Sequence, residues 1–259
     1  MCCTLPAVVT QINAHEPGMI ASTVAPGSGI GTLNEGPLHA ALKDWYARSG
    51  DRTEVPIDGR FVDLVRGDLL IEIQTGTFAG IRHKLERLLT GHRVHLIYPI
   101  AHEKWVVRLD DRKEGGVLGR RKSPNRGRVE DAFEELVSIA RLLAHERFSV
   151  EILLTQEDEL RRHEPGRVWR RKGWVIVERR LISVVERHRF DDTDDLQRLL
   201  PTTLSAAFTT ADLAESLHIP LDLAQKMAYC FREAGVVRVE GKRGNSRVYS
   251  RLVAACSGP

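Results

Sequence analysis

Apolar residues recur at helical spacing at Leu38, Ala41, Leu42, Trp45 and Tyr46, which predicts a helix opening near Asn34 and Pro37 and closing before Gly50-Asp51. Alternation then predicts three strands at residues 53–57, 60–65 and 69–74, with turns at Asp58-Gly59 and Gly67-Asp68. Phe78, Ile81, Leu85, Leu88 and Leu89 draw a second helical stripe, which Gly91 ends, and strands at 93–98 and 104–109 follow. Helix, three strands, helix and two more strands predict a mixed α/β sheet flanked by helices.

Residues 112–128 read as a basic loop, since seven Lys or Arg face the single acid Glu114. Val129, Ala132, Phe133, Leu136, Val137 and Ala140 predict a further amphipathic helix, and 148–154 another strand of the same sheet. Residues 174–177 and 181–185 are strand-like with 178–180 between them, and 194–200 reads as a short helix. From Thr209 the pattern changes. A helix through Leu217, a second from Pro220 through Glu233, and a hairpin of 236–240 with 247–251 make the layout of a winged helix-turn-helix. The expected organisation is an arm at 1–33, a core domain at 34–160, a basic connecting hairpin and helix at 161–200, and the winged helix at 201–259.

The chain has 259 residues, 28% charged and 42% apolar, an ordinary globular mix with room for two cores. A net charge of +3 names no partner by itself. Cys2, Cys3, Cys230 and Cys256 form no CxxC pair, so neither a zinc site nor a disulfide framework is indicated. No apolar run reaches the roughly 18 residues of a membrane span, and a signal peptide is lacking, so the expectation is a cytoplasmic protein. Gly27-Ser28-Gly29-Ile30-Gly31 follows no predicted strand and has no P-loop Lys, which argues against a phosphate loop. No HExxH, GxSxG or Walker signature is present.

The chemistry concentrates between Phe61 and Gln74. A turn with Gly67 and Asp68 at its centre pairs residues whose numbers sum to 135, so Asp63 falls opposite Glu72. Two facing carboxylates repel unless a cation sits between them. Mg²⁺ typically takes one or two carboxylates and keeps waters and phosphate elsewhere, and it can activate a water for attack on a phosphodiester. Gln74, one side-chain step along, could orient that water. Alternation alone leaves a second reading open, in which these are polar residues on a solvent-facing sheet. Glu35 is equally double, because the helix dipole favours an acid in the first turn.

A helix Glu, a strand Asp, then Glu-x-Lys on the next strand followed by a helix is the pattern of the PD-(D/E)XK nuclease superfamily. Residues 34 to 110 resemble it, most nearly its Holliday junction resolvase-like and restriction-endonuclease-like members. The resemblance implies a restriction-endonuclease-like sheet, with Asp63 and Glu72 binding Mg²⁺ or Mn²⁺ and Glu35 assisting. Gln74 stands where that pattern has Lys. Some members work with Gln or Glu there, and others with altered motifs are inactive DNA-binding relics. Lys84, on the following helix, could supply the missing charge; its plain alternative is a solvated side chain beside Glu86.

DNA is the expected partner, with Arg120, Arg121 and Lys122 of the basic loop and Lys242, Arg243 and Arg247 of the wing on phosphates. The second winged-helix helix would show Asp222, Gln225, Lys226, Tyr229 and Arg232 if Leu223, Met227, Cys230 and Phe231 face the core. Three functions follow: a metal-dependent DNA endonuclease, a DNA-binding or regulatory protein that keeps the nuclease fold, and an interaction module. Junction cleavage would require a homodimer.

Overall fold

The computed structural model describes residues 36–110, 116–168 and 172–252. Helix α1 (Pro37–Tyr46) accepts Pro37 in its first turn, where an N–H has no helical partner, and buries Leu38, Leu42 and Tyr46. Gly36 stands at its N-cap without a side-chain cap, so the helix opens later than expected; Asn34 lies outside the described residues. Strands β1 (Arg52–Ile57), β2 (Arg60–Arg66) and β3 (Leu69–Ile73) follow as an antiparallel meander. The register is the expected one, with Leu64↔Ile71, Val65↔Leu70 and Arg66↔Leu69. Gly67 leads the turn with φ of 60°, a left-handed value that a Cβ disfavours.

Helix α2 (Arg82–Leu88) carries the chain over to β4 (Arg93–Leu109), which runs parallel to β3. The helix is shorter than the apolar stripe predicts. Phe78 remains in the preceding turn, where its N–H donates to the Glu135 carboxylate at 2.9 Å. β4 is one strand of 17 residues rather than two. His102 is an extra residue in its ladder with the next parallel strand, which resets the alternation and makes the sequence look interrupted. Pro99 is tolerated because β3 ends opposite Ile97, leaving that edge of β4 without a β3 partner beyond it.

The expected basic loop contains a strand, β5 (Val117–Lys122), paired antiparallel to the exposed edge of β4. The helix expected at 129–140 is broken. A 3-10 turn (Val129–Ala132), helix α3 (Phe133–Leu136) and a second 3-10 stretch (Val137–Ala144) follow one another, the last interrupted at Ile139, whose φ of −125° is non-helical. Strand β6 (Phe148–His163) returns parallel to β4, and β7 (Trp174–Phe190) pairs antiparallel with β6. β7 is also continuous where two short strands were expected. Val177, Ile182 and Val185 are each bulged out of the ladder, so apolar residues fall off the period of two. All seven strands form one sheet in the order β1-β2-β3-β4-β6-β7, with β5 beside β4.

Short helix α4 (Thr193–Gln197) leads to β8 (Ala207–Phe208), α5 (Thr210–Leu217) and α6 (Leu221–Glu233). Thr209 and Asp212 cap α5 reciprocally. Strands β9 (Val237–Arg243) and β10 (Ser246–Arg251) extend past the expected ends, so the tip is the two residues Gly244-Asn245. β8 joins them in a three-stranded sheet.

The large sheet is covered on both faces over β2, β3 and the first halves of β4 and β6. Leu38, Leu42 and Tyr46 of α1 pack on Leu64, Ile71, Ile73, Ile97 and Leu153. On the other face, one continuous core joins sheet residues such as Leu96 and Ile152 to Phe133 of α3 and Phe231 of α6. The Phe133 and Phe231 rings meet edge to face with centroids 5.3 Å apart. Among the described residues no helix is long and apolar enough to cross a membrane.

Candidate functional site

The ladder between β2 and β3 stops at Leu64↔Ile71, so the expected cross-strand pair of Asp63 with Glu72 is not formed. Past that point the N–H of Ile73 needs another acceptor, and the Asp63 carboxylate supplies it, Oδ2 accepting at 2.7 Å. Its other oxygen faces His39 Nε2 of α1 at 3.2 Å. Asp63 therefore bridges the parting strands and the helix packed on one face of the sheet.

Glu72, one step before Ile73, points toward α2. Lys84 Nζ donates to Glu72 Oε2 at 2.6 Å and to the Phe61 carbonyl at 2.6 Å. Lys84 is only 16% exposed at its side chain, so it is not the solvated residue beside Glu86 that its plain alternative required. Among the described residues Glu72 Oε1 is buried with no hydrogen-bond partner. Gln74 lies next along the strand with its Nε2 donating to the Thr77 carbonyl at 2.8 Å, which leaves Oε1 as the end able to accept a bond.

Electrostatics separate the two acids. Burial pushes the Glu72 carboxyl up to about 7, and the nearby Asp63 charge adds to this, while Lys84 opposes it. Burial would raise Asp63 too, but the bonds from His39 and the Ile73 N–H, with the Lys84 charge, hold it below its ordinary value. A buried, half-satisfied carboxylate beside an ionised one fits a cation. The donor set is all oxygen, as a hard divalent ion prefers, and is limited to two carboxylates. No group of three or more His, Cys, Asp or Glu gathers in metal-holding geometry among the described residues. Asp63, Glu72 and Lys84 are thus brought together with Gln74 beside them; Glu35 lies outside the described residues. His39 was missed in the sequence. Its only signal there is its place on the predicted first helix, one turn after Glu35.

The floor behind the site is held by Arg179 of β7. Its guanidinium grips Glu157 through Nε at 2.8 Å and Nη2 at 3.1 Å, and Nη1 reaches the Thr75 carbonyl at 3.4 Å. Glu157 is fully buried, so this charge pair ties the turn after Gln74 to β6.

The basic residues expected on DNA are spread over three elements. Arg120 and Lys122 of β5 flank the Trp105 ring, with cation–centroid distances of 4.6 and 5.1 Å. Both are also paired, Arg120 with Asp158 and Lys122 with Glu103, each at 2.8 Å. Arg121 is exposed on the same strand. On α6 the expected face is the exposed one, with Leu223, Met227, Cys230 and Phe231 buried. Lys226, however, is paired with Glu134 of α3. Lys242, Arg243 and Arg247 are exposed on the β9–β10 hairpin, and Arg243 lies 3.6 Å from Asp212.

Comparison with known proteins gives a match to the family described as "Domain of unknown function (DUF8091)" over residues 36–191, from the start of α1 to the end of β7. A protein of Treponema pallidum (strain Nichols) called "Uncharacterized protein" is 29% identical over 226 residues, covering 86% of this chain and 87% of the relative. No solved structure matches.

Proposed function

We propose that this chain, which belongs to the DUF8091 family, is a Mg²⁺- or Mn²⁺-dependent DNA endonuclease with a PD-(D/E)XK-type site. The observation that carries this reading is the convergence of Asp63, Glu72 and Lys84 where β2 and β3 part, with one Glu72 oxygen buried and unpaired among the described residues. In this reading the sheet is a restriction-endonuclease-like core, and α5, α6 and the β9–β10 hairpin are a winged helix that binds substrate. Cytoplasmic action and a homodimer that cuts paired strands belong to the same proposal.

Asp63 and Glu72 would hold the ion, which when bound polarises a phosphodiester and lowers the pKa of a water. His39 Nε2 and the Ile73 N–H fix the Asp63 carboxylate, so its free lone pairs point in one direction. Lys84 keeps a cation 2.6 Å from Glu72, close to where negative charge develops on the phosphate. It occupies the role that Gln74 cannot fill, since an amide carries no charge. Gln74 Oε1 orients a water by accepting from it, its Nε2 being committed to Thr77. Arg121, Lys242 and Arg247 grip the DNA backbone, which positions the duplex without reading its sequence.

A second reading has its own observation. With Gln74 in place of Lys and Lys84 already bonded to Glu72 and Phe61, the chain would keep the fold and bind DNA without cutting it. Magnesium calorimetry and plasmid nicking on the wild type, Asp63→Ala and Glu72→Ala decide between them. Ion binding and nicking that vanish in both variants support the nuclease. A wild type that binds DNA but neither binds the ion nor nicks it supports the second reading.

A further inference from the structure

Away from the acids, the outer halves of β4, β6 and β7 and the added strand β5 form a face that no helix covers among the described residues. Their registers place Arg120, Val107, Leu160 and Glu178 in one row across four strands, and Lys122, Trp105, Asp158 and Arg180 in the next. Residues paired across strands share a face, so the rows line one side of the sheet. Over the first row, with Asp158 and Arg180 of the second at its side, lies an open cavity of about 580 Å³. Val107, Leu109 and Leu160 make its floor, a small apolar cluster separate from the two large cores.

The charges around this floor do not balance. Arg120 is paired with Asp158 and Arg180 with Glu178. Arg162 also lines the cavity, so three arginines stand against two carboxylates. Among the described residues the Arg162 Nε is buried from solvent and has no hydrogen-bond partner. A guanidinium is always charged, so it cannot relieve this by losing a proton. An oxyanion entering the cavity would meet the one uncompensated guanidinium charge among its lining residues, while an apolar body would cover the floor. Ligand cavities are typically about 300–1,000 Å³, apolar with a few placed polar groups.

We propose that this cavity is a binding site for a small organic anion, a carboxylate on an apolar body, with Arg162 as its charge partner. It is independent of the proposed metal site, since it shares none of Asp63, Glu72 or Lys84.

The test is calorimetric titration of the full chain with octanoate, with octanol, octylammonium and inorganic phosphate as comparison ligands. The expected result is one saturable site for octanoate, with each comparison ligand at least about tenfold weaker, the scale of one charge-assisted hydrogen bond. Arg162→Leu should weaken octanoate by a similar factor. Val107→Trp, which fills the cavity and leaves the charges alone, should abolish binding while the far-ultraviolet circular dichroism stays native. Octanol binding as tightly as octanoate, phosphate alone binding as tightly, or binding untouched in either folded variant overturns the assignment, as does the absence of saturable binding by the wild type.

Discussion

Lys84 and Glu72 meet at 2.6 Å from different elements, one on the helix that follows β3 and the other within β3 itself. Both side chains are largely buried, and the contact forms only because α2 folds back over the end of the strand from which it departs. The lysine also donates to the Phe61 carbonyl, so β2, β3 and α2 share one ammonium. This joins stability to the proposed chemistry, and the two can be measured apart.

Lys84→Met keeps the length of the stem and removes the charge. Under the proposed function, plasmid nicking should fall on the order of 10²-fold or more, the usual cost of losing one group that stabilises developing charge. Stability should fall by about 1–3 kcal/mol as Glu72 loses its donor. Plasmid nicking and urea unfolding read the two effects. Nicking that persists at wild-type rate removes Lys84 from the mechanism.

Asp63→Ala strips the Ile73 N–H of its acceptor at the point where the strands part. A loss of about 1–3 kcal/mol is expected, because a donor sealed from water is left unpaired. Asp63→Asn retains an acceptor oxygen and should recover most of that stability without recovering magnesium binding. Equal stability of the two variants would contradict the role given to this bond.

Glu151 supplies the pH dependence. It accepts from Tyr46 Oη at 2.8 Å and Arg187 Nε at 2.6 Å, and lies 3.1 Å from His95 Nε2, whose other nitrogen faces Ser149 Oγ at 2.7 Å. Burial alone would raise its pKa, but the bonds from His95, Arg187 and Tyr46 hold it at about 2, well below the usual carboxylate range. A depressed carboxyl stabilises the fold above its unfolded pKa, and that contribution is lost as pH falls toward the folded one. The contribution is about 3 kcal/mol by linkage. Wild-type stability should therefore decline between pH 5 and about 2. Glu151→Gln should flatten that part of the profile in denaturant titrations, and an unchanged slope would point to other carboxylates.

The hairpin at the C-terminus and α6 should behave differently toward DNA. Arg247→Ala should weaken binding uniformly across sequences and reduce the salt slope by about one. Lys226→Ala should leave the slope unaltered, because that ammonium is already paired with Glu134 of α3. Fluorescence anisotropy over a salt series measures both, and a slope change in the Lys226 variant would mean that α6 undocks to bind.

What the sequence determined was local. The turn at Gly67, the pairing of Leu64 with Ile71 and the buried stripe of α6 follow from residue types and spacings that act within a few positions. The same locality explains the errors. Bulges at His102, Val177, Ile182 and Val185 reset the alternation, so two long strands read as four short ones. β5 read as a loop because its partner is the edge of β4, which a pattern of charges does not announce. Only the tertiary structure decided that β2 and β3 part at Asp63, that His39 reaches it from α1, and that Lys84 is sequestered by Glu72 rather than solvated. It also decided that α6 packs against α3 as part of one core. These contacts join residues on different elements, and their geometry depends on how helices pack on a twisted sheet, a quantity that no short stretch of chain contains.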